Sequence, residues 1–244
     1  MRPHRFKNSN FVIVLTLSLL SIPLSQADVP EEEMTDANWI EHVGRDLIAP
    51  VSKNGLPFLL MGSAASAAAY PIKNRVKDLG EDRPLGSWSG AGYRLGFWTI
   101  NVAYMASFAL YGTLASDSEA IRKSLMMVRA TVATGIITTG IKAFHFEQRP
   151  RHNGDRLSFP SGHSSNAFAF AGVIQRNHGW WFGGPAFAGA TFVGLSRIND
   201  NAHYLHDVIF GATLGLSYAF GLDPSWSNRD HSKSIALAPL FTEG

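Results

Sequence analysis

The stretch "FPSGHSSNAFAF", residues 159–170, joins a turn to the start of an apolar helix. Pro160 and Gly162 are turn residues, and the alanines and phenylalanines that follow His163 show no sustained alternation of polar and apolar positions. Ser161 and Gly162 therefore lie at a predicted helix N-terminus, which offers a hydroxyl and free backbone N–H groups. Glycine also lets an oxyanion approach the main chain closely. The stretch thus predicts a helix whose first turn can hold an anion beside His163.

Apolar segments of the same kind recur along the chain, rich in Ala, Gly and Phe and without period-2 alternation. They cover residues 57–72, 95–115, 125–141, 164–174, 180–196 and 208–222. The pattern predicts an all-α fold, a bundle of about six main helices with a polar active site at helix ends. Polar loops such as residues 73–94 join the helices. Upstream, Asp36 is placed to cap a short helix that carries Trp39 and Leu47, and residues 223–244 are predicted to form an extended tail.

The N-terminal residues predict export of the protein. Three basic residues, Arg2, Arg5 and Lys7, precede an uncharged stretch at 11–24, and small residues come before Asp28. This is the pattern of a secretory signal peptide, residues 1–27. The alternative is an uncleaved anchor helix, but the apolar run is shorter than the roughly 20 residues that a bilayer requires. Residues 28–244 are then predicted to form a single domain with its core at 55–222, located in the periplasm or at the periplasmic face of the cytoplasmic membrane.

The composition excludes several classes of protein. There is no cysteine, so neither a disulfide framework nor a thiolate metal site is available. A net charge of +2 is too small to indicate nucleic-acid binding. The charged fraction of 16% is below the roughly 25% of ordinary soluble domains, so the protein offers little charged surface. The segment at 95–115 is long enough to span a bilayer and carries only Asn101 as a strongly polar residue, whereas 125–141 contains Arg129. The number of true spans stays open.

Three polar clusters interrupt the apolar pattern where helices begin or end: "KAFHFEQRP" at 142–150, "PSGH" at 160–163 and "SRINDNAHYLHD" at 196–207. They contain the cations Lys142, Arg149 and Arg197, which would be costly to gather in a bundle without an anion between them. The hydroxyl and N–H groups predicted at the first helical turn can also bind an anion. A phosphate group is the ligand that these residues favour.

The third cluster also offers a nucleophile. His203 and Asp207 lie four residues apart and share one helix face, so the carboxylate can orient one imidazole nitrogen and leave the other free. Such an imidazole is suited to covalent catalysis. His163 could protonate the leaving oxygen, since a histidine titrates near neutral pH.

Together, the patterns Lys-x6-Arg-Pro, Pro-Ser-Gly-His and Ser-Arg-x5-His-x3-Asp resemble the signature of the type 2 phosphatidic acid phosphatase superfamily, which also includes bacterial class A acid phosphatases and vanadium haloperoxidases. The resemblance implies a metal-independent phosphatase without a cofactor, acting on a phosphomonoester or pyrophosphate. It implies that His203 forms a phosphohistidine, that Asp207 orients it and that His163 is the general acid. The implied phosphate ligands are Lys142, Arg149, Ser161, Gly162 and Arg197.

The same resemblance implies a substrate class. Lipid-directed members of the superfamily act at the outer face of the cytoplasmic membrane on phosphatidate, phosphatidylglycerol phosphate, polyprenyl pyrophosphate or lipid A phosphates. The expected substrate is therefore a phosphorylated lipid or a small phosphate ester, with membrane association and without nucleic acid. The substrate head group and tail and the oligomeric state stay open.

Other hypotheses use the same residues. A vanadium-dependent haloperoxidase could use the same pocket, although the chain is short for that group, and a non-catalytic protein would bind an anion without turnover. Ser161 lacks the Gly-x-Ser-x-Gly context of a serine hydrolase. The side chains weighed as metal ligands are His145, His163, His203, His206 and Asp207, but the three cations would repel a divalent ion. We expect His145 and His206 to lie beside the pocket or to have packing roles. Asp200 and Asn201 are expected to form a turn. An interfacial belt or the core is the expected location of Trp180, Trp181 and Phe182.

Overall fold

The structure is a computed structural model that describes residues 43–151 and 154–223. The predicted signal peptide, the first part of the predicted helix after Asp36 and the predicted C-terminal tail beyond residue 223 lie outside the described residues. Residues 43–47 are helical, as the pattern after Asp36 predicts, and Leu47 packs against the core.

Eight further α-helices follow this segment in the described residues, with short 3₁₀ turns between some of them. They are α1 (Leu56–Ala69), α2 (Lys73–Glu81), α3 (Ser89–Leu95), α4 (Thr99–Ala115), α5 (Ser118–Lys142), α6 (Gly162–His178), α7 (Trp180–Asn199) and α8 (Leu205–Gly221). No β-strand occurs in these residues, apart from one isolated bridge between Glu147 and Leu157. The all-α prediction is confirmed, and the six predicted main helices correspond to α1 and α4 to α8.

The prediction of a polar loop at 73–94 is wrong in part, because this segment contains α2 and α3. Both helices are short, nine and seven residues, so neither presents a long apolar stripe in the sequence. They form because tertiary contacts stabilise them, which is the usual source of stability for short helices. In α3, Gly92 lies so close to α7 that a β-carbon there would overlap the side chain of Ser196. This contact brings α3 to the active-site end of α7.

Helix α6 is the centre of the bundle and packs against α5, α7 and α8. Its buried face is made of small residues, including Ala167, Ala171 and Gly172, which let the neighbouring helices approach closely. The main hydrophobic core lies on one side of α6 and contains large residues such as Met127, Val173 and Tyr218. Because α6 is held on three sides, the position of its N-terminus is fixed by the core.

The connection from α5 to α6, residues 143–161, folds back on itself. Besides the bridge between Glu147 and Leu157, the Ser158 N–H donates to the Glu147 carbonyl at 3.1 Å, and the Arg149 N–H donates to the Asp155 carbonyl at 2.9 Å. These bonds hold the segment that carries Arg149 close to the start of α6. The first and second polar clusters therefore meet in space.

The helix at 99–115 is shorter than the segment 95–115, which by its sequence is long enough to span a bilayer. Helix α4 begins only at Thr99, after a break at residues 96–98, and has 17 residues. Its Asn101 is buried and donates to Thr131 Oγ1 at 2.9 Å, so the polar group is satisfied inside the bundle. Among the described helices, α5 is the one that is long and apolar enough to cross a membrane. Trp180, Trp181 and Phe182 are exposed at the start of α7, which excludes the core as their location.

Candidate active site

The N-terminus of α6 forms the floor of a polar pocket. Ser161 is the N-cap residue, fully buried, and its Oγ accepts a hydrogen bond from Ser164 Oγ at 3.0 Å. The Ser161 N–H donates to the main-chain carbonyl of Asp207 at 3.0 Å, which ties α6 to α8. A β-carbon on Gly162 would lie 3.9 Å from Cε of Lys142, so Gly162 faces the Lys142 side chain. The first-turn N–H groups and this ammonium therefore lie at the same end of α6, where helix geometry favours an anion.

His203 lies directly after α7 and is almost fully buried. Its N–H donates to the Arg197 carbonyl at 3.3 Å, and Arg149 Nη1 lies 3.1 Å from its Nε2. A guanidinium can only donate, so Nε2 must present a lone pair and the ring proton is on Nδ1. Nδ1 faces Asp207 Oδ2 at 3.6 Å, slightly longer than a hydrogen bond. The arrangement leaves a neutral imidazole whose unprotonated nitrogen points toward the cations.

Asp207 is held rigidly behind His203. It is fully buried, and its Oδ2 accepts hydrogen bonds from Ser158 Oγ at 2.6 Å and from the Tyr204 N–H at 2.8 Å. Burial alone would raise the pKa of Asp207, but His203 and the Ser158 hydroxyl hold it below its usual range. Asp207 therefore stays ionised and can stabilise positive charge on His203.

His163 lies on the opposite wall of the pocket. Its ring contacts Tyr93, at 4.8 Å between ring centroids, and Phe97 at 6.1 Å. Within the described residues its buried Nε2 has no hydrogen-bond partner. Burial, followed by the charges of Arg197, His203, Arg149 and Lys142, lowers the pKa of His163 to about 3. Because Arg197, Arg149 and Lys142 all lower the pKa of His163, the three predicted cations lie around this histidine.

The same cations act on His203. Burial lowers its pKa to about 4, with Lys142 and Arg149 adding to the effect and Asp207 opposing it. Both histidines are therefore neutral near pH 7. A bound anion would offset the charge of the cations and favour protonation of the two histidines.

The three cations are each oriented by neighbouring groups. Lys142 Nζ donates to the Leu157 carbonyl at 2.6 Å, and Arg149 Nε donates to Asp155 Oδ2 at 2.7 Å. The buried guanidinium of Arg197 donates to Asp200 Oδ2 at 2.9 Å and lies 5.1 Å from the ring centroid of Tyr93. The structure thus brings all eight predicted site residues to one end of the bundle: Lys142, Arg149, Ser161, Gly162, His163, Arg197, His203 and Asp207.

Sequence reasoning missed several residues that touch this set. They are Asp155, Ser158 and Tyr93, together with Asp200, which was expected only to form a turn and does lie in one. Asp155 and Ser158 lie in the polar stretch between the first two clusters, so their position could have drawn attention to them. Tyr93 had no such signal, because only the folded contact between α3 and α7 brings it to the pocket.

A second polar group lies behind Asp207. Glu147, His206 and Asp207 are residue types that bind metals, and their ligand atoms lie within 4.8 Å of one another. Of the five side chains weighed as metal ligands from the sequence, this group contains His206 and Asp207. The ammonium of Lys73 lies 2.5 Å from Glu147 Oε1 and already supplies a positive charge there. His206 lies beside the pocket, one of the two locations expected for it.

Comparison with known proteins places these features in a family context. The family model of the PAP2 superfamily matches residues 123–229, which contain all three polar clusters. A lipid A 1-phosphatase of Porphyromonas gingivalis is 28% identical over 226 residues, covering 85% of this chain and 48% of the relative. The chain therefore spans about half the length of this curated relative.

A solved structure shares the fold. A transmembrane PAP2-type phosphatidylglycerolphosphate phosphatase of Bacillus subtilis aligns with a TM-score of 0.52 over 67% of this chain and 89% of that chain. At 21% sequence identity, this likeness bears on the fold alone.

Proposed function

The chain belongs to the PAP2 superfamily, and on that premise we propose that it is a metal-independent phosphatase that acts through a phosphohistidine on His203. The observation that carries the proposal is the hydrogen bond between Arg149 Nη1 and His203 Nε2, 3.1 Å long. It requires a lone pair on Nε2 and points that nitrogen at the place where the cations would hold a phosphoryl group. A neutral, oriented imidazole of this kind is an effective nucleophile.

The proposed reaction has two displacements at phosphorus. In the first, His203 Nε2 attacks, the bond between phosphorus and the ester oxygen breaks, and His163 gives its proton to the leaving oxygen. In the second, water attacks the phosphohistidine, His163 takes a proton from that water, and the bond between nitrogen and phosphorus breaks. Asp207 balances the positive charge on His203 throughout. Inorganic phosphate leaves, His203 is neutral again, and His163 is again protonated and gives that proton to solvent once the anion has left.

The phosphate ligands stabilise the transition state in this mechanism. Lys142, Arg149 and Arg197, with the N–H groups at the start of α6, face the equatorial oxygens, where charge is concentrated during phosphoryl transfer. The positive surroundings also explain how His163 gains its proton. Its pKa is about 3 because burial and the cations disfavour a further positive charge. A bound phosphate dianion offsets those cations and makes the protonated form accessible.

A lipid is the proposed substrate. The curated relative is named as a phosphatase of a lipid phosphate, a lipid A 1-phosphatase. Phe144 and Phe146 support the proposal, because they are 73% and 63% exposed and stack on each other between Lys142 and Arg149. Exposed aromatic side chains beside a phosphate site suit contact with acyl chains at a membrane surface. Export and attachment at the periplasmic face belong to the same proposal.

The test is turnover by purified protein in EDTA, with long-chain lipid phosphates and a soluble aryl phosphate as substrates. We expect phosphate release from the lipid, inhibition by vanadate, and an acid-labile phosphohistidine on rapid quenching. His203→Ala should reduce turnover by about 10³-fold or more, because the nucleophile is removed. The matched control is His145→Asn, which alters an exposed histidine of the neighbouring loop and should leave turnover unchanged.

Full turnover by the His203→Ala variant, or an absolute need of the wild type for a divalent ion, would overturn the proposal. Oxidation of halide by peroxide with added vanadate, without phosphate release, would identify the haloperoxidase instead. A preference for the soluble ester over every lipid would contradict the proposed substrate class and leave the chemistry in place.

A further inference from the structure

We propose that His206, held by Glu147 and Lys73, is a positioning residue that locks the catalytic carboxylate of Asp207 toward His203. The inference rests on the proposed function, because it gives Asp207 the task of orienting the nucleophile. It concerns three side chains from separate elements: Lys73 from the start of α2, Glu147 from the connection before α6, and His206 from the first turn of α8. None of them is among the eight predicted site residues.

The first step is the hydrogen-bonding of His206. Its Nε2 lies 2.6 Å from Glu147 Oε2 and 3.1 Å from Asp207 Oδ1. A ring nitrogen that faces two carboxylate oxygens has to carry a hydrogen, so His206 has the Nε2–H form. Its side chain is almost fully buried, and the rings of Tyr70 and Tyr204 pack on it at centroid distances of 4.9 and 5.6 Å. The donor is therefore fixed in direction.

The second step is that the two carboxylate oxygens of Asp207 have different contacts. Oδ2 accepts from Ser158 and from the Tyr204 N–H, and it faces His203 Nδ1. Oδ1 lies 3.1 Å from His206 Nε2, an electrostatic contact without hydrogen-bond geometry, and it has no hydrogen-bond partner among the described residues. Rotation of the carboxylate would exchange these surroundings and take Oδ2 away from His203. The donor on His206 opposes that rotation.

The third step is the charge balance. The buried carboxylate of Asp207 and the half-buried carboxylate of Glu147 are so close together that they would repel each other without a cation nearby. Lys73 Nζ lies 2.5 Å from Glu147 Oε1 and 4.2 Å from the ring centroid of Tyr70. Burial favours the neutral form of Glu147, but hydrogen bonds from His206 and Lys73 hold its pKa below the usual range. Glu147 therefore stays ionised and keeps the hydrogen of His206 between the two carboxylates.

The experiment compares His206→Leu with His206→Gln in the full-length protein. The glutamine amide can place an N–H close to the position of Nε2, whereas leucine fills the space without a donor. We expect His206→Leu to lower kcat by about 10- to 100-fold with KM changed less than about twofold, because a misdirected nucleophile slows the chemistry and leaves phosphate binding intact. His206→Gln should recover most of this loss. Glu147→Gln should fall between the two.

A second readout does not depend on turnover. The downfield proton resonance of His203 Nδ1–H reports its contact with Asp207, and it should shift or broaden in His206→Leu and persist in His206→Gln. Equal kcat in wild type and His206→Leu with an unchanged resonance would overturn the inference. Equal loss in both variants with a matching fall in Tm would show a structural role and also overturn it. Restoration of wild-type activity after EDTA by a divalent ion would identify a metal site in place of the positioning role. If the wild type itself has no turnover, the proposed function fails, while the resonance still decides the positioning role.

Discussion

The wall of the pocket that carries His203 is built from hydrogen bonds, whereas the wall that carries His163 is built from aromatic and glycine contacts. His203 has Arg149 on one nitrogen and Asp207 facing the other, and Asp207 has its own buried donors. His163 has the rings of Tyr93 and Phe97 beside it, and within the described residues its Nε2 has no polar partner. The same residue type is therefore placed in two contrasting settings within one site.

The difference matches the two tasks proposed for these histidines. A nucleophile needs a fixed direction and a lone pair, and both come from permanent hydrogen bonds. A general acid must gain and lose a proton in each cycle, so a permanent carboxylate partner would hold it in one form. With aromatic neighbours alone, the protonation of His163 depends on the charge of the substrate.

The largest expected effect is a loss of activity in a His163 variant that depends on the leaving group of the substrate. His163→Asn removes the proton donor, so hydrolysis of an alkyl or lipid phosphate should slow by about 10²- to 10⁴-fold. An aryl phosphate has a leaving group that departs without a proton, and its hydrolysis should slow far less. Steady-state kinetics on the two substrates measures the contrast, with His203→Ala as the comparison because it should abolish both reactions. Equal losses on both substrates in His163→Asn would contradict the role of general acid.

A smaller effect is expected from the packing of the His163 wall. Gly96 follows α3, and a β-carbon there would lie 2.6 Å from Val193 Cγ1 and 2.9 Å from His163 Cβ. Gly96→Ala must therefore displace His163 or α3, and a shift of about 1 Å can cost up to about 100-fold in rate. We expect kcat/KM for the lipid substrate to fall by about 10- to 100-fold, and that for an aryl phosphate to change little.

The control for this substitution lies in helix α3, which Gly96 follows. Gly90 is exposed, and a β-carbon there would meet no described atom within 4 Å. Gly90→Ala should keep wild-type kinetics on both substrates. If Gly90→Ala and Gly96→Ala lower activity to the same degree, the loss comes from α3 as a whole and the contact with His163 is not its cause.

These two walls also differ in how far the sequence could predict them. The six long helices follow from apolar segments, and the eight site positions follow from three clusters at helix ends. Both are local patterns, so they could be recognised without the fold. The hydrogen-bonded wall consists mostly of such residues, and only Ser158 and Asp155 had to be found in the structure.

The aromatic wall could not be predicted in the same way. The short helix α3 leaves no long periodic pattern, and residues 73–94 therefore suggested a polar loop. Tyr93 reaches Arg197 and His163 only because Gly92 allows α3 to lie directly on α7. Asn166 adds a tertiary bond by donating to the Gly96 carbonyl at 3.3 Å. Contacts between distant segments of this kind have no signature in a single sequence.

The smallest expected effect is a shift in the titration of His163 when an anion binds. In the free protein its pKa of about 3 keeps it neutral down to about pH 5. Because a bound phosphate or vanadate offsets Arg197, Arg149 and Lys142, it favours the protonated form and should raise the titration midpoint by about one unit or more. Nitrogen-15 histidine NMR in the presence and absence of the anion measures this shift. In Arg197→Gln, removal of the cation with the largest effect should raise the midpoint in the free protein and shrink the rise on binding. A midpoint that phosphate leaves unchanged in the wild type would mean that the aromatic wall does not respond to substrate charge, and the contrast between the two histidines would then lie in geometry alone.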